Sequence, residues 1–247
     1  MNRISGALRG AQMALSPFIS IVEGHYPFSP DGKTIVYARS ECYKCGSEVW
    51  RVALDGSDQQ LLFKVPQLRV EQVLWSPKGR YIAFTQWREA EAQDLFIGGI
   101  NSVAAVGELW VMDTQEGERH KLSSVLTGYY RQFGLAWSPD GKQIAFVMSD
   151  DAKLGKQLDE LHSNVYVAEV NSSSVKPLTR FSRAQILAPT WSPDGSMLAF
   201  AGNPDGTPGR LELWVMKADG STIQRFDESR GLTVNANATN VAIVWLP

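Results

Sequence analysis

Cys42-Tyr43-Lys44-Cys45 is the first stretch of the chain whose residue types could do chemistry. A C-x-x-C pair can be half of a zinc site, a redox dithiol or a local disulfide. No second C-x-x-C exists, and His25, His120 and His162 lack zinc-ligand spacing. No βαβ pattern surrounds the pair, as a thioredoxin-type motif requires. A disulfide stapling Cys42 to Cys45 is the leading reading, ahead of free thiols and of metal or redox chemistry. It favours an oxidising compartment. The aspartates that recur at Asp31, Asp140 and Asp194 are the next candidates, but the matching position of a fourth copy is Lys78. Catalysis does not survive such a replacement and a turn does. The chain has no G-x-S-x-G elbow, no H-E-x-x-H and no phosphate-cradling glycine loop. No catalytic residue, metal or cofactor is predicted.

Residues suited to holding a partner are easier to find. Tyr129, Tyr130 and Arg131 stand together in "LTGYYRQ", and tyrosine and arginine are favoured at interface hot spots. Trp87 and Arg88 open the mixed stretch "WREAEAQDLF". Arg183 and Asp205 are weaker candidates of the same kind. In "SDDAKLGKQLDELHS", Leu154, Leu158 and Leu161 share one helical face that packs on the scaffold. Net charge is -2 and no basic stripe exists, which argues against nucleic acid. No run of eighteen apolar residues exists, so no membrane-inserted helix is predicted.

The elements that must position these residues come from a repeat. "FSPDGKTIVY", "WSPKGRYIAF", "WSPDGKQIAF" and "WSPDGSMLAF" begin at Phe28, Trp75, Trp137 and Trp191. Their prolines lie 47, 62 and 54 residues apart, a period that marks a solenoid or propeller. Ser-Pro-Asp-Gly reads as a three-residue hairpin loop, with proline presetting φ and glycine in the left-handed position. The strand after it is apolar on both faces, with a small residue on one (Val36, Ala83, Ala145, Ala199), so sheets must cover both sides. A third strand follows ("EVWRVAL", "ELWVMDT", "NVYVAEV", "ELWVMKA"), then a short fourth. Four antiparallel strands per unit make the blade of an all-β propeller.

These units resemble the TolB-type β-propeller repeat, whose blade reads W-S-P-D-G, I-A-F, E-L-W/Y-V-M-D, L-T. The resemblance runs over residues 28–226. It implies six blades where four are written here, and a C-terminal strand, "VAIVWLP", that returns to complete the first blade. "FISIVEGHYPF" near the N-terminus competes for that place. A small closed ring, an arc completed by a partner or second copy, and part of a longer chain all remain open. Residues 1–17 are expected to be a poorly ordered segment or pre-sequence remnant, and 18–247 a single propeller domain. First-to-second and third-to-fourth turns share one face and are short. The other connections share the opposite face and are expected to be long, which is where binding residues concentrate. The resemblance implies a docking platform for a protein or peptide in the periplasm or cell envelope; without a missing pre-sequence the compartment is the cytoplasm. The alternative is a propeller enzyme, a glycan lyase or hydrolase, or the propeller half of a peptidase.

Overall fold

The computed structural model describes residues 28–40, 45–89, 105–127, 134–149, 162–204 and 211–226, with Ile243 and Trp245. The competing terminal strands otherwise fall outside them. Among the described residues there are fifteen strands and no helix. They are β1 (Thr34–Arg39), β2 (Ser47–Ala53), β3 (Gln60–Val65), β4 (Arg69–Trp75), β5 (Tyr81–Glu89), β6 (Ala105–Asp113), β7 (Arg119–Thr127), β8 (Ala136–Trp137), β9 (Gln143–Ser149), β10 (Ser163–Glu169), β11 (Val175–Pro177), β12 (Ile186–Trp191), β13 (Met197–Gly202), β14 (Glu212–Lys217) and β15 (Gln224–Arg225). Neighbours in sequence are neighbours in the sheets: β4-β5-β6-β7, β8-β9-β10-β11 and β12-β13-β14-β15 have four strands, and β1-β2-β3 has three. In that three-stranded sheet a single bridge, Phe28 to Ile35, stands where the repeat writes a first strand. The chain divides into two compact units, Met1–Arg88 with Leu109–His120, and Glu89–Glu108 with Lys121–Pro247.

The Ser-Pro-Asp-Gly turn is built the same way in each copy. Gly79 N–H donates to the Ser76 carbonyl, and Gly195 N–H to that of Ser192, each at 2.9 Å. Both glycines have positive φ, 73° and 72°, where a β-carbon is strained. The loop holds four residues between its closing pair, not the predicted three. The reason is a diverted carbonyl: Lys33, Arg80, Lys142 and Ser196 each turn theirs to an N–H beyond the third strand, on Leu54, Thr114, Val170 and Ala218. The motif serine fills the gap, its Oγ accepting from Thr34, Tyr81, Gln143 or Met197 N–H.

The second strand of each sheet is buried on both faces, and its two faces differ. In the second unit, Ala145 and Val147 of β9 share a cluster with Leu198 and Phe200 of β13, so the small row of one sheet receives the large row of the next. In the first unit Val36 of β1 meets Ile82 and Phe84 of β5 in the same way. The turns repeat this order. A β-carbon on Gly79 would stand 3.6 Å from Pro30, and one on Gly195 3.5 Å from Pro139. Within each unit the later copy of the motif thus lays its glycine on the proline of the earlier one.

Phe200→Ala removes the largest side chain from the β9–β13 contact and leaves a cavity. Denaturant unfolding should show a loss of about 3–5 kcal/mol at unchanged m-value. A loss under about 1 kcal/mol would show that the two sheets do not depend on this contact.

Candidate functional site

The two ends of each sheet use their polar groups differently. At the turn end they are spent locally. Asp31, Asp140 and Asp194 each accept from the motif serine hydroxyl and from the backbone N–H two residues on. Those hydrogen bonds, the serine hydroxyl first, hold all three carboxyls below the ordinary range, Asp194 at about 2. An acid fixed in that charge state and committed to a loop is no general acid. Asp113 is used likewise, by Gln115 and Glu116 N–H and by Arg80.

At the opposite end of the first unit the sequence Ser47-Glu48-Val49-Trp50 opens β2. Ser47, buried, accepts the Val70 N–H at 3.0 Å and so ties β2 to the start of β4. Ser40 donates to the Gly46 carbonyl at 2.6 Å and lies 2.9 Å from Ser47. A β-carbon on Gly46 would collide with the Val65 carbonyl oxygen, so only glycine fits there. Glu48 accepts from Lys64 at 2.7 Å, Arg39 at 2.8 Å and Trp50 Nε1 at 2.9 Å. Lys64 first, then Arg39, pulls its carboxyl from an ordinary 4.5 to about 2. Arg39 also lies over the Trp50 ring, 4.5 Å from its centroid. The predicted long connection between fourth and first strands is here only three residues, since β3 ends at Val65 and β4 begins at Arg69.

The second unit repeats the tie. Ser163 opens β10 and accepts the Ile186 N–H at 2.7 Å. Val70 and Ile186 both stand five residues before their motif tryptophan, so the two serines are one device used twice. The next position carries Glu48, Glu108 and Glu212 in three copies, each paired with a cation on the fourth strand. In the remaining copy it is Asn164, fully buried. Asn164 Oδ1 accepts from Thr179 Oγ1 and Phe181 N–H, both at 2.8 Å, and its Nδ2 donates to the Phe181 carbonyl at 3.2 Å. Asn203 Oδ1 accepts from Gln185 N–H at 2.6 Å. The 178–185 connection is therefore held at Leu178, Thr179, Phe181, Ala184 and Gln185. The side chains of Arg180, Ser182, Arg183 and Gln185 remain exposed on it.

Of the predicted partner-binding residues, Arg183 lies on this connection. Trp87 does not lie in a loop. β5 runs on to Glu89, and Trp87 is 1% exposed with the Arg69 guanidinium 5.5 Å from its ring, so burial leaves it no surface to offer. Arg88 is in the same strand. Tyr129, Tyr130, Arg131, Asp205 and Cys42 lie outside the described residues, as do Leu154, Leu158 and Leu161. Cys45 is exposed and disulfide-bonded, and Cys42 is the only other cysteine in the chain. The described residues contain no group of three or more His, Cys, Asp or Glu that could hold a metal. Sequence reasoning missed Arg180 and Asn164. The signal for Asn164 was present as the one departure from glutamate at its place in the repeat.

The sheets define a β-propeller with four-stranded antiparallel blades. Its fold is that of the TolB-type propellers. A TolB homologue from Agrobacterium tumefaciens superposes with a TM-score of 0.51 at 21% identity, covering 82% of this chain and 60% of that one. An oligogalacturonate lyase from Vibrio parahaemolyticus gives 0.57 at 13% identity, covering 86% and 54%. In sequence, an uncharacterized peptidase of Bacillus subtilis, YuxL, is 25% identical over 222 residues, 76% of this chain and 30% of its own. The chain thus spans under a third of that relative and little over half of the two solved propellers. No family model matches it.

Two outcomes follow from these contacts. Ser163→Ala leaves the Ile186 N–H without its acceptor and should cost about 1–3 kcal/mol, read by denaturant unfolding, with faster hydrogen exchange at that amide. Glu48 supplies a pH signature. Its folded carboxyl resists protonation down to about 2, whereas the unfolded one protonates near 4.5. The stabilisation is therefore whole above about pH 4.5 and drains away as pH falls toward 2. Glu48→Gln should flatten the acid limb of the stability profile, and an unaltered limb would show that the pairing contributes nothing.

Proposed function

We propose that the protein is a docking platform that binds a protein or peptide partner through the end of its blades opposite the Ser-Pro-Asp-Gly turns. The observation that carries this reading is the unequal use of polar groups at the two ends. Turn-end acids are consumed by their own loops. At the far end Glu48, Glu108 and Glu212 are paired with cations, but buried serine and asparagine side chains hold the backbone from which Arg180 and Arg183 stay exposed and unpaired among the described residues. Rigid backbone with free polar side chains is what recognition of a partner requires, because less freedom is lost on binding.

One observation favours a second reading. The match to YuxL covers most of this chain but under a third of that protein, as expected if this is the propeller portion of a peptidase whose catalytic half lies elsewhere. The same face would then meet a hydrolase domain or its peptide substrate.

A photo-crosslinking amino acid placed singly at Gln67 and Ser182, at the far end, and at Ser57 and Ser172, at the turn end, tests both. Crosslinked species from the source cell's lysate would be identified by mass spectrometry. Adducts confined to Gln67 and Ser182 are expected. Equal adducts from Ser57 and Ser172 would overturn the choice of face. A single dominant adduct with a serine-hydrolase domain would establish the peptidase reading. No adduct, with turnover of glycans or peptides by the chain alone, would establish an enzyme.

A further inference from the structure

Eight arginine side chains are described, and six have a partner. Arg39, Arg51, Arg80 and Arg225 pair with Glu48, Asp58, Asp113 and Glu212. Arg69 and Arg119 lie over the rings of Trp87 and Phe63. Arg180 and Arg183 are engaged by neither an acid nor a ring among the described residues, and both are exposed on the Asn164-held connection. We propose that this connection is a carboxylate-recognition surface, in which Arg180 and Arg183 take up two acidic side chains of an extended segment of a partner protein. The proposal rests on the docking reading and names the chemistry of its partner.

Three features support it. The backbone is held between the two arginines at Phe181 by Asn164, and just beyond them at Ala184, whose carbonyl accepts the Ser163 N–H at 2.8 Å. Phe181 anchors the middle, its ring 6.4 Å from that of Phe200 in the core. The arginines are thus presented from a fixed base, and little backbone freedom is lost on binding. A guanidinium offers a planar fork of donors that matches a carboxylate two bonds at a time. The spacing also suits one segment. Residues three apart span at most about 10 Å, and acids at alternate positions of an extended strand stand about 7 Å apart on one face. Exposed Ser182 and Gln185 add neutral polar groups beside the pair.

The partner is an acidic protein segment and not a polyanion. Binding to nucleic acid rests on many cations that together displace the counterions of a phosphate backbone. Here two of the eight described arginines are unpaired, and the chain has 26 acidic against 24 basic residues. Such a balance repels a long polyanion while leaving a short acidic stretch room to settle.

The test follows the arginine Nε–Hε signals of the full chain by NMR during titration. The probes are a capped octapeptide of alternating glutamate and glycine, its glutamine counterpart, and inorganic tripolyphosphate at matched ionic strength. Arg180 and Arg183 signals should move saturably with the glutamate peptide and about tenfold more weakly with the glutamine one. Affinity should fall at least about tenfold in the R180Q/R183Q double variant, whose thermal melting should match the wild type because both side chains are exposed. Unmoved signals, equal response to the glutamine peptide, or stronger binding of tripolyphosphate would each overturn the proposal. Crosslinking from Gln67 and Ser182 in the R180Q/R183Q background separates it from the docking reading. A partner held undiminished by the double variant sinks the carboxylate site and leaves docking intact. Saturable peptide binding with no crosslinked partner keeps the site and removes docking.

Discussion

A strand whose successive residues Ile144, Ala145, Phe146 and Val147 are all out of water must be covered on both faces. One sheet cannot do that for itself. The chain meets the requirement by making the two faces unequal, small residues on one and large on the other, so that within each unit one sheet receives the next. Leu198 and Phe200 against Ala145, and Ile82 and Phe84 against Val36, are the same solution in the two units. The turns reinforce it inside each unit, with Gly79 resting on Pro30 and Gly195 on Pro139.

That constraint explains why the repeated residues do so little chemistry. The motif serine closes a loop whose natural backbone bond has been diverted to the third strand. The motif aspartate satisfies that serine and one backbone N–H. Where Lys78 stands instead, the Ser76 Oγ still accepts the Tyr81 N–H. The serine is therefore the part the loop depends on, and the aspartate is support. Acids tied down in this way have carboxyls depressed by their own loops, which suits structure and not proton transfer.

The opposite end obeys a different rule. There the connections join one sheet to the next, so their backbone must be fixed by groups distant in sequence. Ser47 reaches Val70 across 23 residues, and Asn164 reaches Phe181 across 17. With the 178–185 backbone held from beneath, Arg180 and Arg183 stay exposed and pair with no acid or ring among the described residues. This separation of duties lets one scaffold carry different surfaces, in keeping with the range of proteins whose propellers it resembles.

Local chemistry was legible in the sequence. The turn and the two-faced burial of the strand after it follow from residues within ten positions of one another, and the four-strand unit and its antiparallel order follow from the repetition of that pattern along the chain. Arg183 could be picked out as a charged residue in a connection. Its distinction from the other arginines could not, nor could the role of Arg180 beside it. Trp87 read as a loop residue because nothing in its local pattern shows how far β5 extends. Whether a charge is free or paired depends on which side chains folding brings within about 4 Å. Those neighbours come from other strands and other sheets. So the repeat settled what holds the blades together, and only the tertiary structure decided which polar groups it leaves unspent.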